Sequence, residues 1–315
     1  MDKISKIASV LFGRSNNKKD LSGLAVSFDE LMAQRRNVHN LRVHSNLATS
    51  VRSGDVKSAF KGRGIEVEEI REYTFGDDVR DIDWRVTARK NTPYTKVYAE
   101  EKDREIYVVL DLSASMAFGT KNELKSVTAS KIAALLGWMA QENNDRFGVL
   151  IFDGQRSWYF KPQQNRAQLL AVFNKIVAVG KDLLKEQPST VGLEKTLQLL
   201  LKSLKSRASV FIISDFAEWG ENCRKTLAAL SKKAQTFCIC VYDILEAQAP
   251  APGEYMISEN GENLVFDSRM KDFCTEYANF FANKRKSMKD FCQKRDSRWL
   301  EIRTDIPITR QIKII

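Results

Sequence analysis

Residues 108–119 read VVLDLSASMAFG, and the side chains best suited to chemistry begin there. An apolar run stops at Asp111, and hydroxyls follow at alternate positions, Ser113 and Ser115. One carboxylate and two alcohols make an oxygen-only donor set, which suits a hard divalent cation and suits zinc poorly. A serine hydroxyl can donate to a neighbouring carboxylate while a lone pair faces the ion. Mg²⁺ sheds water reluctantly, so it needs few protein ligands; Mn²⁺ or Ca²⁺ would accept the same donors. Thr190, in EQPSTVG, offers one more hydroxyl, and Asp215, in ISDF, a second carboxylate that would act through water. The D-x-S-x-S spacing alone is equally explained by serine capping of the helix that follows. Its position at a strand end, with a downstream loop threonine and a second strand-terminal acid, gives it more weight.

The elements that must position these residues follow from hydrophobic periodicity. EIYVVLD is a near-continuous apolar run, as expected of a strand covered on both faces. NELKSVTASKIAALLGWMAQEN has a broad apolar helical face, and RFGVLIFD and SWYFK then flank a short Asp153-Gly154 turn. That turn predicts a hairpin and one antiparallel edge strand. Two helices, the strand ASVFIISD, the helix CRKTLAALSKKA and the strand TFCICVYD come next. A small hairpin around ENGEN, a long helix over RMKDFCTEYANFFANKRKSMKDFCQKR and a last strand RWLEIRT complete the pattern. Alternation of this kind predicts an α/β fold, a doubly wound and mostly parallel sheet with one antiparallel edge strand.

The expected organisation is an N-terminal helical extension and charged segment over 1–104, the sheet domain over 105–305 and a short tail over 306–315. The extension is expected to pack on the sheet domain without forming an independent fold. Four predicted strands end on aspartate: Asp111, Asp153, Asp215 and Asp243. Ligands bind at the carboxyl ends of strands in open α/β sheets. Asp153 is expected to shape its turn and Asp243 to cap the next element. Asp111 and Asp215 each precede a loop into a helix, and two carboxylates brought together there repel unless a cation lies between them.

Bulk properties narrow the classes. The chain has 315 residues, 43% hydrophobic and 29% charged, so it can bury a full core and is not of disordered composition. No apolar run reaches the roughly 18 residues of a membrane span, and the opening MDKISKIASVLFGRSNNKK lacks a secretory pattern. The five cysteines include no CxxC pair, which points to reduced thiols and a cytoplasmic protein. Only His39 and His44 are available as imidazole ligands, which argues against a zinc site. The formal charge of +10 favours acidic partners in general, but the basic residues are spread along the chain.

Asp111, Ser113, Ser115, Thr190 and Asp215 resemble the metal-ion-dependent adhesion site of von Willebrand factor A domains, and the element order over 106–303 is similar to that fold. The resemblance implies a bound cation with an open coordination position that a partner's Asp or Glu fills, hence a binding module and not an enzyme. Where the pattern often has a glycine pair before the threonine, this chain has PST. A second stretch resembles the bacterial family called domain of unknown function 58, whose hallmark is R-x-Y-x-x-G-D-D-x-R-x-I-D-W. Here it is Arg71, Tyr73, Gly76, Asp77, Asp78, Arg80, Ile82, Asp83 and Trp84, continued by Arg85, Thr87, Ala88 and Arg89. Together the two likenesses cover residues 60 to 305. They imply a partner, a MoxR-type AAA+ ATPase, and a role in maturing protein complexes as adaptor or co-chaperone, with a client protein offering a carboxylate. The motif itself has two readings: an ion-pair network that pins the extension with Trp84 as a buried anchor, or an exposed docking face for the ATPase.

Two other functions stand beside the adaptor. One is a metal-assisted phosphoryl hydrolase with Asp111 as nucleophile, although Ser113 stands where a common phosphatase pattern has a second acid. The other is nucleic-acid binding through NKRKSMKDFCQKR, for which no stacking platform or zinc module is evident.

Overall fold

A computed structural model of the chain describes residues 23–40, 66–99, 104–183, 191–204, 208–259 and 262–312. The first described element is a short helix, α1 (Phe28–Ala33), opened by a reciprocal cap between Ser27 and Glu30 and continued by a 3₁₀ turn over Gln34–Asn40. The Ser27-x-x-Glu30 spacing dictates this start, since each side chain satisfies a backbone N–H that the first helical turn leaves unpaired. The chain divides into two compact units, residues 1–43 with 104–315, and residues 44–103. In its described part, then, the N-terminal helical segment belongs with the sheet.

The smaller unit contains an antiparallel pair, β1 (Glu66–Glu72) and β2 (Tyr94–Ala99), and a seven-residue helix, α2 (Trp84–Lys90). Its acids work locally. Asp77 accepts from Arg71 at 2.8 Å and from the backbone and hydroxyl of Thr74, which closes the loop around Gly76 at φ 104°. Asp78 accepts from Arg80 at 2.7 Å, and Asp83 caps α2 by accepting from the amides of Arg85 and Val86. Asn91 ends that helix in the left-handed conformation at φ 55°. Trp84, the buried anchor in one of the motif's two readings, is 67% exposed. It is the first residue of a helix too short to bury a whole face, so its ring projects from the turn.

The larger unit is built on β3 (Glu105–Asp111), β4 (Arg146–Phe152), β5 (Ser157–Gln163), β6 (Ser209–Ser214), β7 (Gln235–Tyr242) and β10 (Arg298–Arg303). The strand order is β10-β7-β6-β3-β4-β5; every pair is parallel except β4 with β5, the edge strand that the Asp-Gly turn predicts. Pro162 lies on this edge strand, where a missing donor is tolerated. A separate hairpin, β8 (Glu254–Glu259) with β9 (Glu262–Asp267), matches the ENGEN expectation.

Helices α3 (Lys125–Glu142), α4 (Arg166–Asp182), α5 (Leu193–Ser203), α6 (Glu221–Lys233), α7 (Ile244–Ala247), α8 (Lys271–Gln293) and α9 (Ile308–Gln311) complete the unit. Tyr107, Val109, Val210 and Ile212 pack with Leu197, Leu227 and Met288 of α5, α6 and α8 in one core. The alternate residues of β3, Val108 and Leu110, are equally buried, and α3 packs across β3, β4, β6 and β7. Burial on both faces explains why these strands read as unbroken apolar runs. Each fully buried Leu or Ile contributes about 1.5–3 kcal/mol relative to exposure. Trp138 of α3 is 1% exposed and donates to the Leu31 carbonyl at 3.1 Å, which fastens the N-terminal segment to the sheet unit.

Among the described residues no helix is long and apolar enough to cross a membrane.

Candidate functional site

β3 and β6 lie side by side in parallel register, with Leu110 opposite Ile213, so their carboxyl ends place Asp111 beside Ser214. One Asp111 oxygen accepts from the Ser113 amide at 2.9 Å, and the other accepts from the Ser214 hydroxyl at 2.5 Å. The first bond turns the chain out of the strand into a 3₁₀ turn over Ala114–Met116, which brings the Ser113 and Ser115 hydroxyls within 3.3 Å of each other. Asp111, Ser113 and Ser115 thus form one cluster, as their spacing predicts.

Asp215 follows β6 on the same rim. One of its oxygens accepts from the Ala217 amide at 2.9 Å; the other is bound by the Lys125 ammonium at 2.7 Å. Lys125 is the first residue of α3, only 1% exposed, and reaches Glu246 as well, at 2.5 Å. Phe216 takes the left-handed conformation at φ 51°, its amide donating to the Ser214 hydroxyl at 2.9 Å. That backbone is uncommon for a bulky residue, and here tight packing imposes it. The Phe216 ring is buried against Trp219 and Trp299, which fixes the loop that carries Asp215.

Electrostatics separates the two acids. Burial, and then the negative charge of Asp215, pushes the Asp111 carboxyl up to about 7, against partial relief from the hydroxyls of Ser113 and Ser214. Burial pushes Asp215 the same way, but the Lys125 ammonium overrides it and holds this carboxyl below its usual range, helped by Ala217 and Ser115. Lys125 loses from burial yet is raised by the charges of Asp215 and Glu246. Lys125 is thus shared by two carboxylates, Asp215 and Glu246.

The remaining strand-terminal acids do what turn and cap chemistry predicts. Asp153 accepts from the amides of Gln155 and Arg156 and shapes the β4–β5 turn. Asp243 caps α7 and is fully buried, with Thr120, Leu245 and Thr304 all donating to it. Thr190 lies outside the described residues; the adjacent Val191 donates to the Gly154 carbonyl at 2.8 Å, beside the end of β4. Among the described residues no three His, Cys, Asp or Glu side chains gather as a metal-binding group. The donors at the end of β3 are instead one carboxylate and two alcohols, an oxygen-only set of the kind that a hard divalent cation accepts.

Sequence reasoning missed Lys125, Ser214 and Glu246. The only signal was a lysine at the start of an otherwise apolar helix, and its carboxylate partners stand 90 and 121 residues away.

Comparison with known proteins places the chain. The family model described as "Protein of unknown function DUF58" matches residues 69–287. Uncharacterized protein Mb1516 of Mycobacterium bovis is 28% identical over 214 residues, covering 67% of this chain and 66% of its own length. Uncharacterized protein Rv1480 of Mycobacterium tuberculosis matches with the same figures, so the chain spans 66% of the length of these relatives. Among solved structures, the conserved hypothetical protein BatB from Bacteroides thetaiotaomicron is similar at a TM-score of 0.40 and 16% identity, over 66% of this chain and 93% of that one. An aerotolerance-related membrane protein from Bacteroides fragilis is similar at 0.39 and 15%, over 67% and 100%.

Proposed function

The chain belongs to the family described as protein of unknown function DUF58, and from that premise we propose that it is a metal-dependent protein-binding module of von Willebrand factor A type, serving a MoxR-type AAA+ ATPase as adaptor. One observation carries this reading: Asp111, Ser113 and Ser115 converge at the carboxyl end of β3 as one carboxylate and two alcohols, beside a second buried acid. Direct ligands would be Asp111, Ser113 and Ser115. Asp215, whose two oxygens are engaged by Lys125 and the Ala217 amide, would act from behind them. A bound Mg²⁺ would supply a Lewis-acidic position for a carboxylate of the partner.

The protein's own residues prepare that position. The Ser113 amide and Ser214 hydroxyl orient the Asp111 carboxylate, while leaving each oxygen a further lone pair. Burial of the carboxylate keeps competing water scarce and strengthens its attraction for a cation. The ATPase as partner and the client protein rest on the sequence resemblance, and a cytoplasmic setting on the unpaired cysteine pattern.

The test uses the full chain, a purified MoxR-type ATPase and purified candidate clients bearing an exposed Asp or Glu. Capture in Mg²⁺, its loss in EDTA, and its loss in the Asp111→Ala/Ser113→Ala double variant are expected. Capture that ignores both EDTA and the double variant removes the metal from the mechanism.

A further inference from the structure

Lys125 occupies a position that is unfavourable twice over. It is the one lysine or arginine among the described residues that is buried, and an ammonium taken out of water is strongly unfavourable unless it is paired. It also stands at the first position of an 18-residue helix, where the helix dipole opposes positive charge, and no acid accompanies it in that turn. Two carboxylates compensate: Asp215 at 2.7 Å and Glu246 at 2.5 Å. Glu246 is itself fixed, because its other oxygen accepts from the Asp243 amide in the reciprocal cap of α7. The ammonium is therefore held from both sides, against the Asp215 oxygen that would otherwise be free to take a metal.

We infer that Lys125 is a resident counter-cation that keeps Asp215 out of direct metal coordination and leaves a bound divalent ion with positive charge to offer a partner's carboxylate. The inference rests on the metal-site reading above and specifies how that site chooses an anionic ligand. Lys125 offsets the charge of the Asp215 carboxylate that it binds, so an ion held by Asp111 is left with that much less negative charge beside it. Without Lys125 the Asp215 charge would stand uncompensated and oppose an incoming carboxylate. The lysine thus weakens the metal held alone and strengthens the metal held jointly with an anion, a reciprocal coupling between two ligands.

The experiment titrates the full chain with MnCl₂ by calorimetry, with and without acetate as a carboxylate probe, for the wild type, Lys125→Met and Glu246→Gln. In the wild type, acetate tightens Mn²⁺ binding. Lys125→Met is expected to bind Mn²⁺ about tenfold more tightly and to lose the acetate effect, because the divalent ion now answers for Asp215 alone. Glu246→Gln keeps the lysine but removes one of its two acids; Mn²⁺ binding weakens severalfold and the acetate effect persists. A folded Lys125→Met protein whose Mn²⁺ affinity is unchanged or weaker overturns the inference and leaves the metal site standing. Should Lys125→Met fail to fold, Glu246→Gln decides, and an affinity equal to wild type overturns the inference. A wild type that binds no Mn²⁺ ends the metal reading and the inference with it.

Discussion

Two strands of the same sheet each end on a buried aspartate, and the two are held in opposite ways. Asp243, after β7, is met by the Thr120 amide and hydroxyl, the Leu245 amide and the Thr304 hydroxyl, and these donors outweigh burial and hold its carboxyl below the usual range. Asp111, after β3, has donors only from Ser113 and Ser214 among the described residues, together with an acidic neighbour, and is raised to about 7. Both residues are strand-terminal, buried and of the same type. The difference lies in whether the surrounding chain satisfies the charge. Asp243 is a staple that joins the segment before α3 to the strand ends of β7 and β10, whereas Asp111 is held in readiness for something the protein does not itself provide.

Substitutions should therefore change stability with opposite signs. Asp243→Ala strands several buried donors and is expected to destabilise the chain by about 3 kcal/mol or more, read from urea midpoints at constant m. A loss under about 1 kcal/mol would remove the staple from the picture. Asp111→Asn, measured in EDTA at pH 8, should raise stability by on the order of 1–2 kcal/mol, since it deletes a poorly compensated buried charge, a familiar trade of stability for function. A lower melting temperature in that variant would contradict the contrast.

The smallest effect is in pH dependence. A carboxyl lowered in the folded state contributes stability that is complete above the unfolded value, about 3.9, and is lost as pH falls through the folded value. Wild type should therefore lose stability more steeply than Asp243→Asn below about pH 4. Parallel melting curves down to acid unfolding would show that Asp243 carries no such linkage.

Much of the sheet unit was legible in the sequence because strands buried on both faces leave an unmistakable apolar run, and the Asp153-Gly154 turn marked the antiparallel edge. β1 and β2 were not read as strands, because EVEEIRE and YTKVYA interleave charges and carry no continuous apolar run. Asp111, Ser113 and Ser115 were legible because their contacts are local. Lys125 was not, since its burial depends on Asp215 and Glu246, which the fold and not the sequence brings near. The sequence likewise left the exposure of Trp84 open between the motif's two readings, since bulk alone does not bury a ring without a facing layer.

The left-handed Phe216, wedged between Trp219 and Trp299, has a consequence for engineering. Because aromatic rings beneath the rim dictate the posture of the loop above, copying the acids, serines and lysine onto a foreign scaffold would reproduce the composition but not the geometry. A faithful transplant would have to carry the three rings along.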